Sequence, residues 1–387
     1  MVRKFCCIVC LAALWATPGA WARGEALDVR GLARSAHEVL YQARKDVEEE
    51  RFAQARDRIL KHLESHPRHA HSSLYLVLGH AYRLERRMEE ALEAYEKACG
   101  MKPSSGELRL RAARAAWDLE RFGRAAEHFE KAYAPGGLKD PEWLYRAATA
   151  WRRAGEPSKA VDVLKRLLKV AEPEKPWLEL VAHACLELGR KEEAERYVKE
   201  LVEIAPEEAA YWRLLARLRE ERGALAEAAA ALEVACRLDP GNGDLWKKLA
   251  GWYLDLGVPP QAARCLEKAY GPEPGPEARD LLARAWARAH RPEKALEHIR
   301  HAVESAPTPS RYMRLGELHY RQGRWKEATK ALEKALHMEP GLGRAWLLLG
   351  WCRWEMEELE EARLALSRAL ESPEVGEQAR TALEAMK

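Results

Sequence analysis

Residues 72–105 read SSLYLVLGHAYRLERRMEEALEAYEKACGMKPSS, and this stretch decides the fold of the chain. Its first half has a glycine between bulky apolar residues. Its second half has two alanines seven residues apart and then a proline. Apolar residues at such intervals share one face of a helix, and proline ends a helix because it cannot donate to the backbone ladder. The stretch therefore predicts two helices that pack on each other. The residues of the pattern are Leu78, Gly79, Tyr82, Ala91, Tyr95, Ala98 and Pro103.

The same pattern recurs ten times along the chain, at intervals of 33 to 36 residues. Twelve residues before the central alanine of each second helix, every repeat has Gly or Ala, which lets two helix axes approach closely. Five residues before that alanine, glycine recurs at positions where a left-handed residue would end the first helix. This regularity predicts an array of helical hairpins rather than separate globular domains. The central alanines are Ala55, Ala91, Ala125, Ala160, Ala194, Ala228, Ala262, Ala295, Ala328 and Ala362, and the glycines are Gly155, Gly189, Gly223, Gly257 and Gly323.

This order of bulky residue, Leu, Gly or Ala, and Tyr, followed by Ala, an aromatic or Leu, Ala and Pro, resembles that of tetratricopeptide repeats. The resemblance covers about residues 36–374, with His62 as one departure, because Ala is usual at that position. It implies an all-α fold, a right-handed α-solenoid superhelix of about ten antiparallel helix-turn-helix repeats. The predicted repeats are 36–71, 72–105, 106–140, 141–174, 175–208, 209–242, 243–275, 276–308, 309–342 and 343–374.

The first residues read as an export signal. Residues 1–22 contain Arg3 and Lys4, an apolar run over residues 5–16, and a small-residue cleavage pattern that ends at Ala22. The run is too short to span a bilayer. We expect an exported protein, most simply a periplasmic one, with no direct membrane span after signal cleavage. An uncleaved N-terminal anchor is the alternative.

Two further segments lie outside the repeats. Residues 23–35 form a polar lead-in. Residues 375–387 predict an amphipathic helix with an apolar stripe. Because an array of stacked hairpins leaves its last apolar face uncovered, we expect this helix to act as the C-terminal cap.

Composition and motifs exclude several function classes. Formal net charge is only +3, so the chain has no bulk electrostatic reason to bind nucleic acid. It contains no Gly-rich phosphate loop, G-x-S-x-G elbow or H-E-x-x-H motif. We therefore expect no catalytic residue, no cofactor and no resident metal, and predict that the chain is not an enzyme. The five cysteines that follow the predicted signal are irregularly spaced and include no C-x-x-C pair, as expected of buried packing residues; they are Cys99, Cys185, Cys236, Cys265 and Cys352.

The best candidate for a metal site is a group of histidines around the turn between the first two repeats. Such a group could hold a divalent ion. Solvated histidines on an irregular surface are the simpler interpretation. The residues are His62, His66, His69 and His71.

If the chain winds as the resemblance implies, the first helix of each repeat lines a concave groove. Repeats 2–4 concentrate arginine there against a single acid, Asp118. Arginine pairs with carboxylates, and Trp and Tyr dominate binding hot spots. We predict that this groove binds an acidic or C-terminal segment of a partner protein, the alternative being a solvated face. The partner-binding residues are Arg83, Arg111, Arg114, Trp117, Tyr145, Arg146, Arg152 and Arg153, and a secondary groove has Arg284, Arg288, Arg314, Tyr320, Arg321, Trp351 and Trp354.

Two functional classes remain open at the level of sequence. The first is a scaffold or adaptor of the cell envelope, which binds two or more partners through separate stretches. The second is a carrier or chaperone for a single exported client. The resemblance also implies an accessory role in a TonB-type, secretion, pilus or polysaccharide-export complex.

Overall fold

The computed structural model describes residues 27–133 and 138–386. Over these residues the chain forms twenty-one α-helices and no β-strand. The predicted signal peptide, residues 1–22, lies outside the described residues, as does the first part of the predicted lead-in. The chain divides into two compact units, Met1–Ile204 and Ala205–Lys387.

The first unit has ten α-helices in its described residues, and a 3₁₀ helix over Pro67–His69 connects the second to the third. Its helices are α1 (Arg34–Glu48), α2 (Phe52–Ser65), α3 (Ser72–Leu84), α4 (Met88–Met101), α5 (Gly106–Asp118), α6 (Phe122–Tyr133), α7 (Glu142–Arg153), α8 (Pro157–Val170), α9 (Lys175–Glu187) and α10 (Lys191–Ile204).

The second unit has eleven α-helices in its described residues. They are α11 (Ala209–Glu221), α12 (Leu225–Leu238), α13 (Gly243–Asp255), α14 (Pro259–Tyr270), α15 (Pro276–Arg288), α16 (Pro292–Ser305), α17 (Pro309–Arg321), α18 (Trp325–Met338), α19 (Gly343–Glu355), α20 (Leu359–Ala369) and α21 (Gly376–Ala385).

Within each unit, helices that follow one another along the chain pack together. Each odd-numbered helix up to α19 forms a hairpin with the next even-numbered helix, and we call these the A helix and the B helix of a repeat. The helices have 15 residues or fewer, which is too short to be stable in isolation. Their stability therefore comes from stacking, and the predicted all-α array of helical hairpins is confirmed.

The turn between the A and B helices has the same backbone geometry in all ten hairpins. One residue of each turn has a positive φ, between 55° and 82°. The amide of the next residue donates to the carbonyl five residues before it, over 2.7–3.0 Å. This left-handed cap satisfies carbonyl groups at the end of the A helix. The five predicted glycines are confirmed in this role, and the other five positions have Glu50, Arg86, Glu120, His290 and Glu357.

The small residue of the A helix lies directly against the B helix. A Cβ atom added at Gly79 would come within 2.5 Å of Cε1 of Tyr95. At Gly316 and Gly350, an added Cβ would lie 2.6 Å from Cγ of a leucine on the B helix. These repeats therefore require glycine for the close approach that the Gly-or-Ala pattern predicts.

Helix α21 packs its apolar side on the final hairpin. Val375 and Ala379 are buried there, together with Leu347 and Leu366, and Leu383 is partly buried against the same cluster. The burial of this side explains why a short helix of 10 residues is ordered after the last hairpin.

Candidate partner-binding surface

The predicted partner-binding residues lie on three successive A helices of the first unit. Arg83 lies on α3, Arg111, Arg114 and Trp117 lie on α5, and Tyr145, Arg146, Arg152 and Arg153 lie on α7.

Three of the arginines on these helices lie close enough to Arg114 to affect the pKa of its guanidinium. The pKa of the Arg114 guanidinium is lowered, first by desolvation and then by the positive charges of Arg111, Arg146 and Arg83. Each like charge makes the charged form of its neighbour less favourable. We call these four residues the arginine surface. The structure thus joins positive groups from three helices, and an anion that bound among them would relieve their repulsion.

Asp118 is an acidic residue close to two members of the arginine surface, Arg83 and Arg114. Burial raises the pKa of its carboxyl, while Arg83 and Arg114 lower it. Over the described ranges of the chain, neither Arg83 nor Arg114 has a carboxylate oxygen within 4.0 Å. Arg83 and Arg114 are therefore not neutralised by an ion pair in this part of the chain.

His80 lies on α3 close to the same arginines. Its side chain is fully buried, with the ring next to the hydroxyl of Tyr95. Burial lowers the pKa of His80 well below its usual value, and Arg111 and Arg83 lower it further. The imidazole is therefore neutral at physiological pH and adds no charge to the surface.

An aromatic cluster lies beside the arginine surface. Trp117 meets Phe122 edge to face, with ring centroids 5.2 Å apart. The guanidinium of Arg153 lies over both rings, 4.7 Å from the centroid of Trp117 and 5.6 Å from that of Phe122. A cation above an aromatic face is attracted by the ring quadrupole. The structure thus brings Arg153 onto Trp117 and Phe122. The three side chains form a platform that is partly apolar and partly charged.

Two of the predicted arginines already have acidic partners. Arg152 donates from Nε to Glu187 of α9 over 2.9 Å. Arg146 donates from Nε to Glu142 on its own helix over 2.8 Å. The charge of Arg152 is therefore largely neutralised by the following repeat. Arg146 still belongs to the arginine surface, because its positive charge lowers the pKa of Arg114.

Two of the four arginines of the predicted secondary groove are paired with carboxylates. Arg314 pairs with Asp280 of the preceding repeat. Arg321 pairs with Glu317 on its own helix, at 2.8 Å. The other two predicted arginines, Arg284 and Arg288, are exposed on α15.

The aromatic residues of the secondary groove are packing residues as much as surface residues. Tyr320 stacks on Trp351 with ring centroids 5.9 Å apart, and Trp325 lies 5.2 Å from Tyr320. Trp354 is partly buried against the cluster that holds α21. These rings therefore link successive hairpins and the C-terminal helix.

Sequence reasoning missed Phe122 as part of the aromatic cluster. A bulky apolar residue stands three positions before the central alanine in several repeats, as at Phe52, Phe122 and Trp325. That recurrence was a usable signal, because a residue at the start of the B helix lies next to the end of the A helix.

Two other features bear on chemistry. Three of the candidate histidines at the first turn, His62, His66 and His69, lie close to one another. The fourth, His71, instead caps α3 by accepting from the amide of Ser73. In the described part of the chain, no helix is both long and apolar enough to cross a membrane.

Family models match most of this chain, and all three carry the description tetratricopeptide repeat. The first matches residues 110–176, 252–308 and 313–376. A second matches residues 154–218, and a third matches residues 72–105, the stretch with the most complete pattern. No curated protein sequence matches the chain.

Several solved structures are similar to this chain. YrrB, described as a TPR protein with an unusual peptide-binding site, is 21% identical over 48% of this chain and 97% of its own, with a TM-score of 0.39. The MamA protein is 23% identical over 44% of this chain and 94% of its own, with a TM-score of 0.38. Yeast Tom70 is 15% identical over 91% of this chain and 96% of its own, with a TM-score of 0.34.

Proposed function

Because this chain belongs to the tetratricopeptide repeat family, we propose that it is a non-enzymatic protein-interaction scaffold whose arginine surface binds an acidic segment of a partner protein. The family binds other proteins through its helical repeats. The observation that carries the proposal is the group of guanidiniums on α3, α5 and α7, in which the positive charges of Arg111, Arg146 and Arg83 lower the pKa of Arg114. Over the described residues, neither Arg83 nor Arg114 has a carboxylate oxygen within 4.0 Å. A bound acidic segment would supply negative charge to these two guanidiniums.

The chemistry of arginine sets the class of ligand. A guanidinium donates two parallel hydrogen bonds to one carboxylate, and such charged hydrogen bonds are worth about 1.5–3 kcal/mol each. The platform of Trp117, Phe122 and Arg153 adds an apolar contact area next to the charges. We therefore expect an extended segment with two or more carboxylates and an adjacent apolar side chain.

The test is direct binding of a short fluorescent peptide that contains several Asp and Glu residues and one Leu, followed by anisotropy at physiological salt. Replacing Arg111 and Arg114 together by Glu should weaken binding by about 100-fold or more, because two charged contacts are lost and repulsion replaces them. Arg152 is left unchanged because Glu187 already neutralises it. Far-UV circular dichroism of the variant should match that of the parent protein.

A matched control makes the same change of net charge at two other arginines of the chain. Arg264 and Arg300 are exposed on B helices of the second unit. Replacing both by Glu should leave the affinity within about threefold, because neither belongs to the arginine surface and exposed charges that do not contact the ligand are screened at this salt. A peptide with a free terminal carboxylate and one with an amidated C-terminus distinguish a terminal ligand from an internal one. Equal losses in both double variants would show that net charge, rather than the arginine surface, governs binding.

We also propose that the protein is exported and acts in the periplasm. The support is the order of charged residues, apolar run and small residues over 1–22. When the protein is expressed with its full N-terminus in a Gram-negative host, it should be recovered in the periplasmic fraction. Its mass should be that of a chain that starts at Arg23. Recovery of the intact chain in the cytoplasm would contradict this proposal and leave the binding proposal untouched.

The number of partners distinguishes a scaffold from a single-client carrier. If the arginine surface and the exposed arginines of α15 bind different ligands, each charge reversal should remove one ligand and spare the other. Loss of the same ligand from both reversals would instead favour a carrier for a single client.

A further inference from the structure

A cluster of three histidines lies at the turn that closes the first hairpin, away from the arginine surface. His62 belongs to the last turn of α2, His66 follows the end of that helix, and His69 ends the 3₁₀ helix over Pro67–His69. We call these residues the histidine cluster. One nitrogen from each ring can be chosen so that all three nitrogens lie within 4.8 Å of one another.

Two of the histidines already have the spacing of metal ligands. Nδ1 of His69 lies 3.3 Å from Nε2 of His62. Two nitrogens bound to one zinc ion at about 2.0–2.1 Å with tetrahedral angles lie about 3.3–3.4 Å apart. The third ring, His66, is stacked near both of the others, with centroids 4.9 Å from each. Rotation of the exposed His66 side chain is the main adjustment that coordination needs.

The position of His62 departs from the pattern of the array. Seven residues after the central alanine, the other nine repeats have Ala or Leu, and only the first repeat has a polar residue. His62 is nevertheless only 9% exposed. The first repeat therefore has a polar side chain at a position that is apolar in the other repeats. Such departures from the packing pattern are expected at functional sites.

Electrostatics favours the neutral form that a metal ligand must have. Burial lowers the pKa of His62, and the neighbouring His66 and His69 lower it further. A neutral imidazole has a free lone pair on one ring nitrogen and binds borderline metals such as zinc, copper and nickel. The hydroxyl of Ser35 on α1 lies 3.4 Å from Nδ1 of His69 and adds a polar neighbour without charge.

We propose that the histidine cluster binds one divalent transition-metal ion, with zinc as the best fit, through one nitrogen each of His62, His66 and His69. Three imidazoles leave the fourth coordination position on the side of the exposed His66, where water completes the tetrahedron. The ion would tie the end of α2 to the 3₁₀ helix and so fix the connection between the first two hairpins. This inference does not depend on the proposed binding of acidic segments.

The test uses the full chain, purified without a histidine tag and stripped of metal. Zinc and nickel are each titrated by isothermal calorimetry near neutral pH, and thermal unfolding is measured with and without zinc. We expect one tight ion per chain and a higher unfolding temperature with zinc, because a ligand that binds only the folded state stabilises it. His66→Ala and His69→Ala should each weaken binding at least about tenfold, and the double variant should lose both the tight site and the thermal shift.

Two further variants separate coordination from folding. His62→Ala restores the residue that most repeats have at this position, so it should fold normally and still lose the tight site. The control pair His298→Ala and His301→Ala removes two other histidines from α16 and should keep full binding. Unchanged zinc affinity in the His66 and His69 double variant, or the absence of a one-to-one site in the parent chain, would overturn the proposal.

Discussion

The left-handed geometry of the ten turns predicts how substitutions there change the free energy of unfolding. Glu50, Arg86, Glu120, His290 and Glu357 have φ between 55° and 63°, although each has a Cβ atom. Their side chains are exposed, and over the described residues none makes a hydrogen bond or an ion pair. Replacing any of them by Gly therefore removes the steric cost of this conformation and sacrifices no contact.

The expected gain follows from two opposing terms. A residue with a Cβ atom loses about 1–2 kcal/mol in the left-handed conformation. Glycine loses about 0.5–1 kcal/mol more backbone entropy on folding than other residues. Each substitution should therefore stabilise the protein by about 0.5–1 kcal/mol. Because the five turns belong to different hairpins, their effects should add to about 2.5–5 kcal/mol in the combined variant.

Urea unfolding followed by far-UV circular dichroism measures this gain as a shift of the midpoint at constant slope. The reverse change supplies a matched comparison. Gly155 and Gly223 have φ of +77° and +82°, and an added Cβ would meet no atom within 4 Å. Replacing either by Ala should cost about 1 kcal/mol from backbone conformation alone.

A glycine placed outside the turns controls for the general effect of glycine. Glu361→Gly, at an exposed position inside α20, should destabilise by about 1 kcal/mol. The reasoning fails if Glu120→Gly is neutral or destabilising while Gly155→Ala is tolerated. That result would mean that the turns do not keep the left-handed geometry in solution.

Three further predictions concern the core. Gly79→Ala should destabilise the protein by about 1 kcal/mol or more, because the added Cβ would collide with the ring of Tyr95. Gly251→Ala should instead stabilise it by about 0.5–1 kcal/mol, because the added Cβ meets no atom within 4 Å. The midpoint of urea unfolding measures both changes. Asp46 is buried, and although burial opposes its ionisation, hydrogen bonds from two arginines lower the pKa of its carboxyl below the usual value. Asp46→Asn should therefore destabilise by about 2 kcal/mol at pH 7, and unfolding curves of the two proteins should converge as pH falls below about 3.9, where this contribution of the carboxylate is lost. Burial raises the pKa of the five buried thiols to about 11 or about 12, so a thiol reagent at pH 8 should modify them only at the rate of unfolding, and rapid labelling of the folded chain would contradict their placement.

The turn residues show how far local pattern reaches. Glycine at Gly155, Gly189 and three equivalent positions predicts a left-handed cap, because glycine adopts that conformation at little cost. At Glu120 and His290 the residue type gives no such signal. The hairpin imposes the conformation there, since the B helix has to reverse direction within the same number of residues. The sequence therefore predicted this turn geometry only at the five glycines, and the structure shows it at five further positions as well.

The arginines show the limit of the same reasoning. Arg114 and Arg152 lie on neighbouring A helices and have the same predicted role, yet Arg152 pairs with Glu187, whereas Arg114 has no carboxylate oxygen within 4.0 Å among the described residues. The difference depends on which side chains the next hairpin brings within a few ångströms.

The sequence by itself determined the helical hairpins, their register and their close packing, because helical periodicity, glycine and proline act on residues that are near one another in the chain. Only the tertiary structure decided which arginines form ion pairs with other repeats and that His62, His66 and His69 converge. Ion pairs and metal coordination depend on distances between groups from different turns and helices, and a shift of 1–2 Å creates or abolishes them.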